Sequence, residues 1–173
     1  MYTRFFVAIV TCFLATAALA QPILPGGGGG GEPPPQGGQA AGLQRVTAED
    51  IAAIMRKLGP NLQIEAIKLG ENPGLRIGNW HGFVVGIAFY GCKPEGCMSM
   101  QIFTIGKAPS HVNLQYVNNW NVKWRFTKLY LDSENNYHLD MDVVCEGGVT
   151  TANVAANLVT YDYFLVELSG GKH

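Results

Sequence analysis

Cys92 and Cys97 flank Lys93-Pro94-Glu95-Gly96. Two thiols can hold a metal, exchange electrons or form a structural disulfide. A metal half-site needs a second cysteine pair, and a redox pair favours C-x-x-C; neither pattern is present. Pro and Gly around a short polar pair make a tight turn, and both flanks are rich in Val, Ile, Phe and Met. The spacing therefore predicts a β-hairpin whose loop is closed by a Cys92–Cys97 disulfide. Cys145 shares parity with Leu139, Met141 and Val143, so it is expected in the core as an inert thiol.

Carboxylates form the second chemical cluster. His138, Asp140 and Asp142 alternate along one stretch, with Asp132 before them and Glu146 after. Such a row can coordinate Ca²⁺, which takes six to eight oxygens at ~2.3–2.6 Å. The D-x-[DN]-x-[DN]-G loop spacing is missing, so the row is expected to face water and no metal is expected. Among His81, His111, His138 and His173 no two stand at i, i+4, which argues against zinc. No G-x-S-x-G or phosphate-loop pattern occurs, and no cysteine lies near a histidine. No catalytic residue and no cofactor is assigned.

The aromatic residues point to binding rather than to reaction. Tyr116, Trp120 and Trp124 recur at i+4. Trp120 has core spacing, whereas Trp80 and Trp124 fall at element ends, where tryptophan often anchors an interface. Trp80, Tyr90 and Trp124 are the candidate binding residues, with a pocket expected between Trp80 and Trp124.

The elements that must carry these residues follow from periodicity. Thr47-Ala48-Glu49-Asp50 resembles a capping box; Ile51, Ile54, Met55 and Leu58 share a helical face that Gly59-Pro60 stops. Leu62 to Leu69 reads as a strand, Glu71-Asn72-Pro73-Gly74 as a turn, and Leu75 to Trp80 as a second strand. The disulfide hairpin adds two more. If 92 pairs with 97, then 90 faces 99, 88 faces 101 and 86 faces 103. One face then carries Gly86, Ala88, Tyr90, Ser99 and Gln101. The other carries Phe83, Val85, Ile87, Phe89, Met98, Met100 and Ile102, and should be the face that helices cover. A helix is expected from about Ser110, its N-cap, to Trp124. Two strands follow, Lys128 to Asp132 and Tyr137 to Cys145. The final helix is capped by Thr150 or Thr151 and has Val154, Leu158, Tyr161, Leu165 and Leu168 on one side. The order α-β-β-β-β-α-β-β-α predicts an α+β fold, an antiparallel sheet with helices packed on one face.

The front of the chain reads differently. Residues 1–20 have a single cation, Arg4, then an apolar run and Ala18-Leu19-Ala20. That is the pattern of a secretory signal cut after Ala20, too short to anchor the protein in a membrane. Residues 21–42 hold nine Gly and five Pro and are expected to be a disordered leader. Residues 43–173 remain as one domain. With 12 Lys+Arg against 13 Asp+Glu, the formal charge is -1, which excludes the basic footprint of a nucleic-acid binder. The expected location is periplasmic or secreted, where disulfides persist.

Four stretches in order, VTAEDIAAIMRKLG, FYGCKPEGCMSMQI, VNNWNVKWRFTKLYLD and LDMDVVCEGGVT, resemble the YbjN domain family, also labelled bacterial sensory transduction regulators. The likeness covers nearly all of Val46 to Leu168. It implies a fold similar to type III secretion chaperones, small α+β domains that often dimerise and bind other proteins, and no established catalytic chemistry. The expected function is thus an exported, non-enzymatic domain that binds an unidentified protein or peptide, a second copy of itself included. The alternative is a cell-envelope small-molecule binding module or a sensory regulator component.

Overall fold

The computed structural model describes residues 42–170. The expected signal sequence (1–20), all but the last residue of the expected leader (21–42) and His173 lie outside the described residues. Along the described chain run β1 (Gly42–Leu43), α1 (Ala48–Leu58), β2 (Gln63–Leu69), β3 (Asn72–Trp80), β4 (Phe83–Tyr90) and β5 (Ser99–Lys107). They are followed by α2 (Leu114–Lys123), β6 (Lys128–Leu131), β7 (Asn136–Val144), β8 (Val149–Thr150) and α3 (Thr151–Leu168). Six strands form one antiparallel sheet in the order β2-β3-β4-β5-β7-β6. The fold is α+β with helices on one face, as the periodicity predicted. One addition is a ribbon of β1 and β8, in which Gly42 pairs with Thr150 and Leu43 with Val149. Two-residue strands leave no alternation to detect.

Helix starts follow side-chain chemistry. The Thr47 hydroxyl accepts from the Asp50 N–H at 3.1 Å while the Asp50 carboxylate accepts from the Thr47 N–H at 2.9 Å. Each group satisfies a donor that the first helical turn leaves open. Thr150 caps α3 by accepting from the Asn153 N–H. For α2 the cap is Asn113, not Ser110: its side chain accepts from the Tyr116 N–H at 3.0 Å. Pro109-Ser110-His111 instead turn the chain, closed by Val112 N–H on the Pro109 carbonyl. Val112 and Val117, both buried, occupy the hydrophobic-staple positions around that cap.

The hairpin register is the expected one: Tyr90↔Ser99, Ala88↔Gln101 and Gly86↔Phe103. Val85, Ile87, Phe89, Met100 and Ile102 point to the helix side, where they join Leu75, Ile77, Leu129, Leu139 and Met141 in one buried cluster. From the helices that cluster receives Ile51, Met55, Trp120, Leu158, Tyr161, Phe164 and Leu165. The Tyr161 hydroxyl, fully buried, donates to the Leu139 carbonyl at 2.9 Å, and burial pushes its pKa well above the usual phenol value. Cys145 is buried as expected, and burial raises its thiol. One expected turn is displaced. Leu69 pairs with Asn72, so the connection is Gly70-Glu71, with Gly70 at φ +64°. Asn72, Pro73 and Gly74 belong to β3. Pro73 is tolerated there because the β3–β4 ladder begins only at Gly74.

Candidate functional site

The three candidate binding residues lie in three different places. Trp80 and Trp124 do not share a pocket; each borders its own cavity, and Tyr90 borders a third. α3, lined with Tyr161, Phe164 and Leu165, fills the space between the two tryptophans' surroundings.

Tyr90 stands at the end of β4, next to the disulfide turn. Cys92 and Cys97 are bonded, with Cα atoms 3.9 Å apart. Cys97 is buried and bridges to Val46 through both backbone hydrogen bonds. Arg45 donates to the Gly91 carbonyl at 3.1 Å and pairs with Glu95 at 3.5 Å. The staple therefore holds the start of the domain against the hairpin tip.

The face of the sheet opposite the helices has no covering element among the described residues. Val84, Tyr90, Ile105, Tyr130 and Val144 stand out from it, 37–72% exposed. A depression of about 190 Å³ lies among Leu69, Ala88, Tyr90, Phe103, Ile105 and Tyr130. Its floor depends on Gly86: a Cβ there would lie 2.2 Å from the Phe103 ring. Glycine lets the end of that ring lie over β4. The face expected to be the less greasy of the two thus carries apolar surface as well, beside Gln101, His138 and Asp140.

The carboxylate row sits on this same face, and it differs from expectation at Asp140, which is only 6% exposed. Burial raises its pKa, against the pull of Lys128 at 3.6 Å. Asp132 shows the reverse. It accepts from the Asn136 N–H, the Asn136 side-chain amide, His138 and the Glu134 N–H, which hold it far below the ordinary carboxylate range. Asp132 thereby closes the β6–β7 turn, in which Asn135 takes φ +58°. His138 stacks on Tyr130 with ring centroids 4.6 Å apart, and Asp142 accepts from Gln101 at 3.1 Å. The carboxylates are distributed over separate partners, and no group of three metal-ligating side chains converges among the described residues.

Trp80 shows how the backbone re-aims a side chain. Alternation from Ile77, which faces the helices, would put Trp80 on the open face. A register shift between Ile77 and Trp80, with Asn79 at φ +61°, reverses it. Trp80 then pairs with Phe83 across a two-residue turn, His81-Gly82, in which both residues have positive φ. The indole is buried 6.1 Å from the Tyr161 ring. Its Nε1–H donates to Asp162 Oδ1, which also accepts from His81 Nε2 at 2.8 Å. Met55, Leu58, Leu62, Leu158 and Val159 complete a cavity of about 380 Å³. Sequence reading missed both Asp162 and this use of His81. Asp162 had a signal: it is an aspartate in the middle of a long helix, where propensity disfavours it.

Trp124 caps the end of α2, half-buried, with its ring 5.4 Å from Phe164 and 5.6 Å from Tyr163. Lys123 lies 4.2 Å over its ring and 3.9 Å from Glu167. Trp120, Tyr163, Phe164 and Lys123 thus pack around it, and part of the ring borders the cavity between α2 and Glu167.

No curated protein matches the chain. Among solved structures, the crystal structure of YbjN from E. coli, described as "a putative transcription regulator", aligns with a TM-score of 0.51. The alignment covers 71% of this chain and 88% of that one at 12% identity, a likeness of fold. The family YbjN, described as "Putative bacterial sensory transduction regulator", matches residues 47–162. That span runs from the cap of α1 to the aspartate beside Trp80, and by it the chain belongs to the YbjN family.

Proposed function

We propose that this chain is an exported, non-enzymatic YbjN domain that binds a partner protein or peptide through the open face of its sheet. The observation that carries this is the set Val84, Ile105 and Tyr130 toward one end of the sheet and Tyr90 and Val144 toward the other, exposed on a face no described helix covers. Contiguous exposed apolar surface on a small domain marks an interaction site. The depression of about 190 Å³ is smaller than the roughly 300–1,000 Å³ of ligand pockets and suits one large side chain of a partner. Export to the periplasm or beyond, with cleavage after Ala20, is supported by the pattern of residues 1–20 and by the Cys92–Cys97 bond.

A photo-crosslinking residue at Ile105 tests the binding face in the producing cells. It should trap one discrete protein, or a second copy of this chain, where the same residue at Lys57 on α1 traps none. Adding Tyr90→Asp should abolish the adduct without unfolding the domain. Equal capture from both positions would sink the proposal. The mass of the purified protein tests export: the mature chain should begin at Gln21.

A second reading, a cell-envelope module that binds a small molecule, is favoured by one observation, the cavity of about 380 Å³ beside Trp80.

A further inference from the structure

The cavity beside Trp80 has an apolar body and one charged end. Met55, Leu58, Leu62, Leu158 and Val159 form its walls. Leu58 and Val159, 45% and 53% exposed, leave apolar surface uncovered at its mouth. Its volume of about 380 Å³ falls within the range of small-ligand sites, at the end suited to one ring or a short chain.

The charged end is Asp162. Both of its donors, Trp80 Nε1 and His81 Nε2, converge on Oδ1. Among the described residues Oδ2 receives no hydrogen bond and no lysine or arginine lines the cavity, the imidazole of His81 being the basic group beside Oδ1. A carboxylate fixed through one oxygen, with the other left as an acceptor beside apolar walls, is complementary to a cation with an apolar body. An ammonium there would gain a charge-assisted hydrogen bond, and the indole of Trp80 adds an electron-rich ring nearby. The β-bulge at Asn79 is what brings the indole to this side of the sheet.

We propose that this cavity is a binding site for a small amphipathic amine, its ammonium on Asp162 and its aliphatic or single-ring body between α1 and α3. This rests on the small-molecule reading and is independent of the open face.

Titration of the purified protein with 2-phenylethylamine and with its neutral isostere 2-phenylethanol, followed by amide chemical shifts, tests it. The amine should shift the amides of Leu58, His81, Val159 and Asp162 and bind about tenfold tighter than the alcohol. Asp162→Asn should erase that preference, the amine's affinity falling to about that of the alcohol. If Asp162→Asn fails to fold, Val159→Lys decides: a cation at the exposed mouth should weaken the amine at least as strongly, and undiminished binding overturns the proposal. Equal binding of amine and alcohol in this cavity would end the amine assignment and leave the small-molecule reading standing. No shift of these amides at millimolar ligand, or shifts only on the open face, would end both.

Discussion

The two faces of the sheet use the same strands and differ in what lies above them. On the helix side, Val85, Ile87, Phe89, Met100 and Ile102 are sealed beneath α1, α2 and α3. On the other side, the alternate residues of the same strands include Tyr90, Phe103, Ile105 and Tyr130, with nothing above them among the described residues. The covered face fixes the fold through burial. The open face carries aromatic and aliphatic surface that no described helix buries. Residues one position apart on one strand therefore meet different surroundings, one buried under helices and the next on the face proposed for binding.

The sharpest test of that division takes neighbours in the chain. Phe89 is fully buried and Tyr90 is 40% exposed. Phe89→Ala should cost about 3–5 kcal/mol, the loss of an aromatic side chain plus the cavity it leaves. Tyr90→Ala should cost no more than about 1 kcal/mol. Urea denaturation of both variants measures this, and comparable losses would mean the open face is covered in solution.

The disulfide comes next in size, since it ties the open-face residue Tyr90 to a turn whose second cysteine is buried. Replacing Cys92 and Cys97 together by Ser should lower stability by roughly 2–3 kcal/mol or less, because the closed loop is short. The loss should appear first as faster amide exchange at Val46 and Cys97, whose N–H groups bond each other's carbonyls. Titration of two reactive thiols in the native, unreduced protein would show that the bond does not form.

The covered face was legible in the sequence because burial imposes periodicity. The i, i+3, i+4 pattern of Ile51, Ile54 and Met55, the alternation through β4 and β5 and the hairpin register all follow from it. Departures came where one side chain competes with a pattern. Asn113 caps α2 three residues after Ser110 because its carboxamide reaches the Tyr116 N–H. Gly70 pulls a turn forward from Asn72-Pro73-Gly74. The bulge at Asn79 reverses Trp80, so that this residue, at the end of β3 as expected, is also buried in the core with a polar handle on Asp162. The open face was least legible. Asp140 looks solvated by alternation, and only the sheet order, which brings Lys128 beside it, shows otherwise.

A smaller effect tests the floor of the open face. Gly86→Ala should gain about 0.5–1 kcal/mol from the reduced entropy of the unfolded chain. The added Cβ, however, occupies the place of the Phe103 ring, and lifting that ring into water offsets the gain. In a Phe103→Ala background the offset disappears and Gly86→Ala should stabilise. The two sites should therefore couple by about 1 kcal/mol in a double-mutant cycle. Additivity would mean that Phe103 does not lie across Gly86 in solution.

The smallest effect is the pH response of two carboxylates on this same face, which should have opposite signs. Asp132 is held below its unfolded pKa by the N–H groups of its turn. Its contribution is present above the unfolded value and lost as pH falls through the folded one. Asp140 is raised above its unfolded pKa by burial. Its contribution is complete below the unfolded value and lost as pH rises through the folded one. At neutral pH, Asp132→Asn should therefore lower Tm, whereas Asp140→Asn should raise it. On acidification below the ordinary carboxylate value of about 4, both differences should shrink, since the wild-type groups become neutral as well; that of Asp132→Asn persists to lower pH. Thermal melts of the three proteins across this range read both signs at once. A Tm lowered by Asp140→Asn at neutral pH would mean that Lys128 outweighs burial, and that the open face holds a paired charge rather than a strained one.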